Sequence, residues 1–170
     1  MYASRQDLGG GVILSQIHEM DYLYWLFGLP RSVYALGGHL SRLEVDVEDT
    51  ADILMNFNVD GHPVPVSLHE DYLQRPPSRG CTVIGDAGKI LLDFPSLTVT
   101  VFDGEGKQVE NSSFKDFQRN NMFLDETRHF IDALQGKSTP LVSVREAAHS
   151  LRMALAARES LATGKVVSLR

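Results

Sequence analysis

The sequence predicts an α+β domain: an open, mainly antiparallel β-sheet with helices packed on one face. Three observations carry this. A triple glycine, Gly9 to Gly11, runs straight into a helical pattern. Segments with period-two hydrophobicity follow, joined by turn signals such as Asp60-Gly61 and Asp103-Gly104-Glu105-Gly106. Two amphipathic helices then close the chain, each stopped by a glycine, Gly136 and Gly164. Helix, hairpins, then helices is the order expected of an antiparallel sheet covered on one side.

The first helix is expected over residues 11–27, closed by Gly28 with Pro30 just beyond. On a continuous helix Leu14, His18, Asp21 and Trp25 stack along one line, bordered by Ser15 and Tyr22. Tyr24, Trp25 and Phe27 are expected in the core. A strand follows from Val33 to Leu40. Ala51, Ile53, Met55, Phe57 and Val59 alternate with mostly polar neighbours, as in a half-buried strand. Asp60-Gly61 turns the chain into a return strand from Val64 to Tyr72. There Val64, Val66 and Leu68 point one way and Ser67, His69 and Asp71 the other. The polar loop Gln74 to Arg79 precedes a hairpin, Cys81–Ile84 and Ile90–Phe94, turning at Gly85-Asp86-Ala87-Gly88. Leu97, Val99 and Val101 begin a third hairpin. The next helix is expected over Asn121–Gln135, with Phe123, Phe130, Ile131 and Leu134 on one side. Ser143 with Glu146 three residues on is a capping box opening the last helix. Ala147, Leu151, Ala154, Leu155 and Leu161 are expected to face inward, and Val166–Leu169 to add a final strand.

Composition narrows the function. At 170 residues, 43% hydrophobic and 22% charged, the chain suits one soluble domain with a real core. A net charge of −6 with scattered arginines and lysines argues against nucleic-acid binding. No apolar run approaches the roughly 20 residues of a membrane span. Met1-Tyr-Ala-Ser-Arg lacks the apolar stretch of a signal peptide. The single cysteine, Cys81, excludes an internal disulfide framework and a cysteine-based zinc site. A cytoplasmic location is expected, and no metal.

Several motifs fail on inspection. His18-Glu19 lacks the second histidine of a zinc-protease helix, since Tyr22 stands there. Gly85 to Lys89 has the wrong spacing for a phosphate loop, and no G-x-G-x-x-G joins a strand to a helix. Nothing here is expected to bind a dinucleotide. What remains is His18 and Asp21 on the first helix, with Ser15 beside them, and His69 with Asp71 on one strand face. Arg75 and Arg79 suit a carboxylate or phosphate, or a surface loop. The glycines allow tight backbone approach or, alternatively, anion binding at a helix start.

The segment Leu8-Gly9-Gly10-Gly11-Val-Ile-Leu with His18-Glu19-Met-Asp21-Tyr22-Leu resembles the C-terminal domain of the glucose–fructose oxidoreductase / inositol dehydrogenase (Gfo/Idh/MocA) family. Three further stretches agree, in order. They are Asp71-Tyr72 with Arg75-Pro76 and Arg79, then Val83 to Ile90, then Pro140 through Glu146-Ala147-Ala148 to Val166. The resemblance implies a dihydrodipicolinate-reductase-like C-terminal fold. It implies two domains in the whole enzyme, with NAD or NADP and a lysine held by an N-terminal Rossmann domain that this sequence lacks. His18 matches the family's catalytic histidine, which helps move the substrate hydroxyl proton. The family's aspartate three or four residues earlier is replaced by Ser15 and Leu14.

The expectation is the C-terminal half of a nicotinamide-dependent oxidoreductase acting on a sugar, sugar derivative or cyclitol, inactive and without cofactor by itself. Ser15, Asp21, His69, Asp71, Arg75 and Arg79 are the candidate substrate contacts. The alternative is a non-catalytic ligand-binding or dimerising module. A homodimer or tetramer is expected through the sheet, with Ile53, Met55, Phe57, Val64, Val66 and Leu68 supplying surface that one helical layer does not hide.

Overall fold

The computed structural model describes residues 1–169. Two short 3-10 turns, Tyr2–Ser4 and Gln6–Leu8, lead into α1 (Val12–Ser15) and α2 (His18–Phe27). Then come β1 (Ser32–Gly38), β2 (Thr50–Val59), β3 (His62–Asp71), β4 (Gly80–Gly85), β5 (Gly88–Asp93), β6 (Thr98–Asp103) and β7 (Gln108–Ser113). Helices α3 (Arg119–Leu134) and α4 (Val144–Thr163) and a short β8 (Val167–Ser168) complete the order. The α+β class with antiparallel pairing is as expected, but the strands form two sheets, ordered β3-β2-β1-β8 and β4-β5-β6-β7. The chain divides into two compact units, Met1–Leu73 with the stretch from Leu141 onward, and Gln74–Pro140.

The first unit holds the core. Asp60 and Gly61 both have positive φ, 51° and 89°, which a two-residue hairpin turn of matching twist requires. That turn sets Ile53 opposite Leu68, Met55 opposite Val66 and Phe57 opposite Val64. Val33 and Ala35 of β1 join them on the inward face through their pairing with Met55 and Ile53. Val12, Ile13, Met20, Leu23, Met153, Ala154 and Ala157 cover this face from α1, α2 and α4. The sheet residues expected to need a second subunit are therefore already covered. Ile53, Met55 and Phe57 are buried, and Val64, Val66 and Leu68 pack against them.

The capping box of α4 is present. The Ser143 amide donates to Glu146 Oε2 (2.8 Å), the Glu146 amide donates to Ser143 Oγ (3.2 Å), and Gly164 closes the helix in the left-handed conformation. Its inward face differs from the one expected. Ser150, Met153, Ala154, Ala157 and Ser160 are buried, whereas Ala147, Leu151 and Leu155 are exposed and Leu161 is only partly covered. The reason is a polar fastening. Ser160 Oγ accepts the amide of Ala35 (2.9 Å) and donates to the Lys165 carbonyl (2.6 Å). Small side chains let the helix lie that close to β1, and the leucines turn outward.

The second unit is a four-stranded meander with α3. Cys81, Val83, Ile90, Leu92, Val99 and Val101 align across its strands. No residue of the segment 74–140 is fully buried. The apolar side of α3 is open, with Phe130 62% and Leu134 72% exposed. Cations cover three of the phenylalanine rings: Arg79 over Phe94 (4.2 Å), Lys89 over Phe102 (4.8 Å) and Arg119 over Phe123 (5.8 Å).

Between β1 and β2 the loop is organised by one buried carboxylate. Asp49 Oδ1 accepts from the Leu40 amide (2.9 Å) and the Thr50 hydroxyl (3.2 Å). Asp49 Oδ2 accepts from the amide (3.2 Å) and hydroxyl (2.6 Å) of Ser41. Burial alone raises this carboxyl's pKa, but the Ser41 hydroxyl and the amides of Leu40 and Ser41 bring it below the ordinary aspartate value. A lowered carboxyl stabilises the fold above the unfolded value of 3.8, and that contribution fades as pH falls through the folded value. Asp49→Ala strands two amides and is expected to cost about 3 kcal/mol in urea unfolding at neutral pH. The difference from the parent should shrink at acid pH.

Candidate active site

The glycine run makes a tight entry, not an anion cradle. The amides of Gly9, Gly10, Gly11 and Val12 donate to the carbonyls of Gln6, Arg5, Ala3 and Glu48 at 2.8 to 3.1 Å. A Cβ at Gly10 would lie 2.6 Å from the carbonyl oxygens of Tyr2 and Ala3. The glycine amides are therefore not available to a phosphate.

The expected continuous helix is broken at Gln16 and Ile17. Gln16 leaves the helical range (φ −108°, ψ 27°) and its side-chain amide donates to the Asp71 carbonyl (3.2 Å). The line from Leu14 to His18 is thereby interrupted, and His18 becomes the first residue of α2. The second helix buries Glu19, Met20 and Leu23. His18 and Asp21 consequently lie on the exposed side, as does Trp25, which is 81% exposed rather than in the core. Tyr24 and Phe27 pack partly against the core, Phe27 against Phe57 with ring centroids 5.6 Å apart.

The other candidates separate into groups. Ser15 is half-buried, with its hydroxyl oxygen buried beside the phenol of Tyr72, whose own pKa is raised, chiefly by burial. Asp21 accepts a hydrogen bond from Ser150 of α4, and one turn on Tyr24 stacks on His149 at 5.0 Å. These two contacts set α2 against α4. His69 and Asp71 project from the face of β3 opposite the helices. His69 Nδ1 meets Asp52 Oδ1 at 2.8 Å, and Nε2 meets Asp71 Oδ2 at 3.0 Å. The sheet thus lies between them and α2. Arg75 and Arg79 belong to the second unit, where Arg75 donates to the Gln74 carbonyl (2.9 Å) and Arg79 covers Phe94.

Three residues that sequence reasoning passed over stand out. Glu70 is 2% exposed, with neither carboxyl oxygen hydrogen-bonded, and Glu19 is buried as well. Glu48 Oε1 is likewise buried and unpartnered. The period of β3 carries the signal for Glu70, because it follows Val64, Val66 and Leu68 on the inward face. Among the described residues no group of histidine, cysteine or acidic side chains is arranged to hold a metal ion. No helix among them is long and apolar enough to cross a membrane.

The profile of the oxidoreductase family, C-terminal alpha/beta domain, matches residues 3–169, and the chain belongs to that family. The search of curated protein sequences gave no match. Among solved structures the fold is similar to an oxidoreductase from Agrobacterium radiobacter in complex with NAD+, L-tartaric acid and magnesium. Identity is 19%, coverage 98% of this chain and 51% of that one, and the TM-score 0.73. It is also similar to myo-inositol 2-dehydrogenase from Lactobacillus plantarum (24% identity, 95% and 49% coverage, TM-score 0.69). A third is the WlbA dehydrogenase from Bordetella pertussis in complex with NADH and UDP-GlcNAcA (24% identity, 95% and 46% coverage, TM-score 0.62). The chain spans about half the length of the structures it matches.

The described residues contain no parallel βαβ unit of the kind that cradles a dinucleotide pyrophosphate. Every strand pair is antiparallel, and the amides of the one glycine run before a helix are already taken.

His69 offers a direct test of the open sheet face. The Asp52 carboxylate, and to a lesser degree Asp71, raises its pKa above 6.5 against the opposing effect of burial. A raised histidine stabilises the fold below the unfolded value and loses that contribution as pH rises through the folded one. The imidazole resonances of His69 are expected to titrate above pH 6.5 by NMR, and Asp52→Asn should move the midpoint down.

Proposed function

We propose that this chain is the substrate-side half of a nicotinamide-dependent oxidoreductase acting on a sugar, sugar derivative or cyclitol, with His18 as its acid–base group. The observation that carries this reading is the placement of His18. It opens α2 with its side chain toward solvent, while Glu19, Met20 and Leu23 anchor the same helix in the core. An imidazole fixed on a rigid helix but open to solution is suited to taking up or returning a hydroxyl proton. Family membership and the inositol and UDP-sugar dehydrogenases sharing the fold support the substrate class.

In this reading Asp21 is a positioning residue, because Ser150 holds it and so sets the rotation of α2. Ser15 lies beside the Tyr72 phenol, one turn before His18. NAD or NADP belongs to the other half of the enzyme, which acts in the cytoplasm. In the complete enzyme His18→Ala is expected to lower kcat about 100-fold or more, the usual scale for a lost acid–base group. Its melting temperature should stay near the parent's. An unchanged kcat refutes the role.

We also propose self-association through the open face of the β3-β2-β1-β8 sheet. Leu36 and Leu54 there are 58% and 57% exposed, with Tyr34 beside them and Asp52, His69 and Asp71 at one end. Apolar side chains displayed on a flat sheet favour a two-fold, sheet-on-sheet pair. Light scattering at tens of micromolar is expected to give a dimer or tetramer, and Leu54→Lys to give a smaller species. A monomeric parent overturns the proposal.

A further inference from the structure

We propose that the carboxyl groups of Glu19, Glu48 and Glu70 form a proton-holding cluster that acts as a pH-sensitive latch between the α1–α2 segment and β3. The three side chains come from three separate elements: Glu19 from α2, Glu48 from the loop before β2 and Glu70 from β3. Glu70 is almost wholly buried, and both its oxygens lack a hydrogen-bond partner, as does Glu48 Oε1. A buried carboxylate without donors is far costlier than a neutral carboxyl group. The fold meets this cost for Asp49 with four donors and provides none for Glu70.

The surroundings of Glu70 leave a proton as the neutralising species. Burial, then the charges of Glu19 and Glu48, push its pKa up to about 8. Opposite it on β2 stands Ala51. The buried residues of α1 are Val12 and Ile13, neither of which titrates. The Tyr72 phenol feels the charges of both Glu48 and Glu70 and, like the phenol of Tyr2 near it, supplies no cation. His69 is on the other face of β3, held by Asp52 and Asp71.

The geometry makes the cluster a latch. The Glu48 carbonyl accepts the Val12 amide at 2.9 Å, tying the loop to the start of α1. The Glu48 side chain fills the space that Gly11 leaves, since a Cβ there would lie 2.2 Å from Oε1. Ionising Glu70 places a third negative charge behind this joint. Because the folded pKa exceeds the unfolded one, stability falls as pH rises between the two values and levels off above the higher.

The test is infrared and pH-dependent unfolding on the complete protein. A protonated-carboxyl band is expected at pH 7, titrating near pH 8 and absent from Glu70→Gln. The melting temperature of the parent should fall between about pH 5 and about pH 8 more steeply than that of Glu70→Gln. Glu48→Gln removes one like charge and should move the band's midpoint to lower pH, which keeps the test open if Glu70→Gln does not fold. A parent without a protonated carboxyl at pH 7 overturns the proposal. So does a parent whose pH dependence matches that of Glu70→Gln, or a midpoint unmoved by Glu48→Gln.

Discussion

The first unit depends on how closely α4 lies on β1. The Ser160 hydroxyl reaches the Ala35 amide and the Lys165 carbonyl together, and that bridge needs a helix face of alanine and serine. The rest follows from it. Met153, Ala154 and Ala157 come down onto the inward face of the sheet. Ser150 reaches Asp21 and His149 reaches Tyr24, so α4 in turn sets the rotation of α2. With α2 held there, Met20 and Leu23 are buried and His18 is left outward. Loss of a small residue on α4 would thus be felt at His18, through packing alone.

Buried acids are handled in two ways. Asp49 keeps its charge because four donors converge on it and organise the loop from Leu40 to Thr50. Glu70 has comparable burial and no donors, so it is neutral over a wide range of pH. Hydrogen-bond supply, more than depth, decides the protonation state. It also separates a carboxylate that stiffens a loop from one that makes packing depend on pH.

Much of this arrangement was legible in residue order. Strand alternation, the Asp60-Gly61 turn and the capping box at Ser143 and Glu146 are local, and backbone sterics or short-range hydrogen bonds dictate them. Periodicity was less reliable for helix faces. It favoured Leu151 and Leu155 over the serine and alanine stripe, because hydrophobicity by itself does not register a hydrogen bond to another element. It also ran one helix through Gln16, where a side-chain bond to a strand 55 residues away accompanies the break.

The sequence by itself determined the fold class, the strand registers joined by short turns, the glycine-closed C-terminal end of the last helix and the family, all properties of neighbours along the chain. Only the tertiary structure decided which helix faces are buried, that Asp21 is tied to α4, and that His69 pairs with Asp52 and Asp71 across the sheet from α2. It alone brought Glu19, Glu48 and Glu70 together. The physical reason is that these outcomes turn on distances between residues far apart in sequence. A carboxylate's cost, a serine's partner and a histidine's exposure are set by what packing places within a few ångströms.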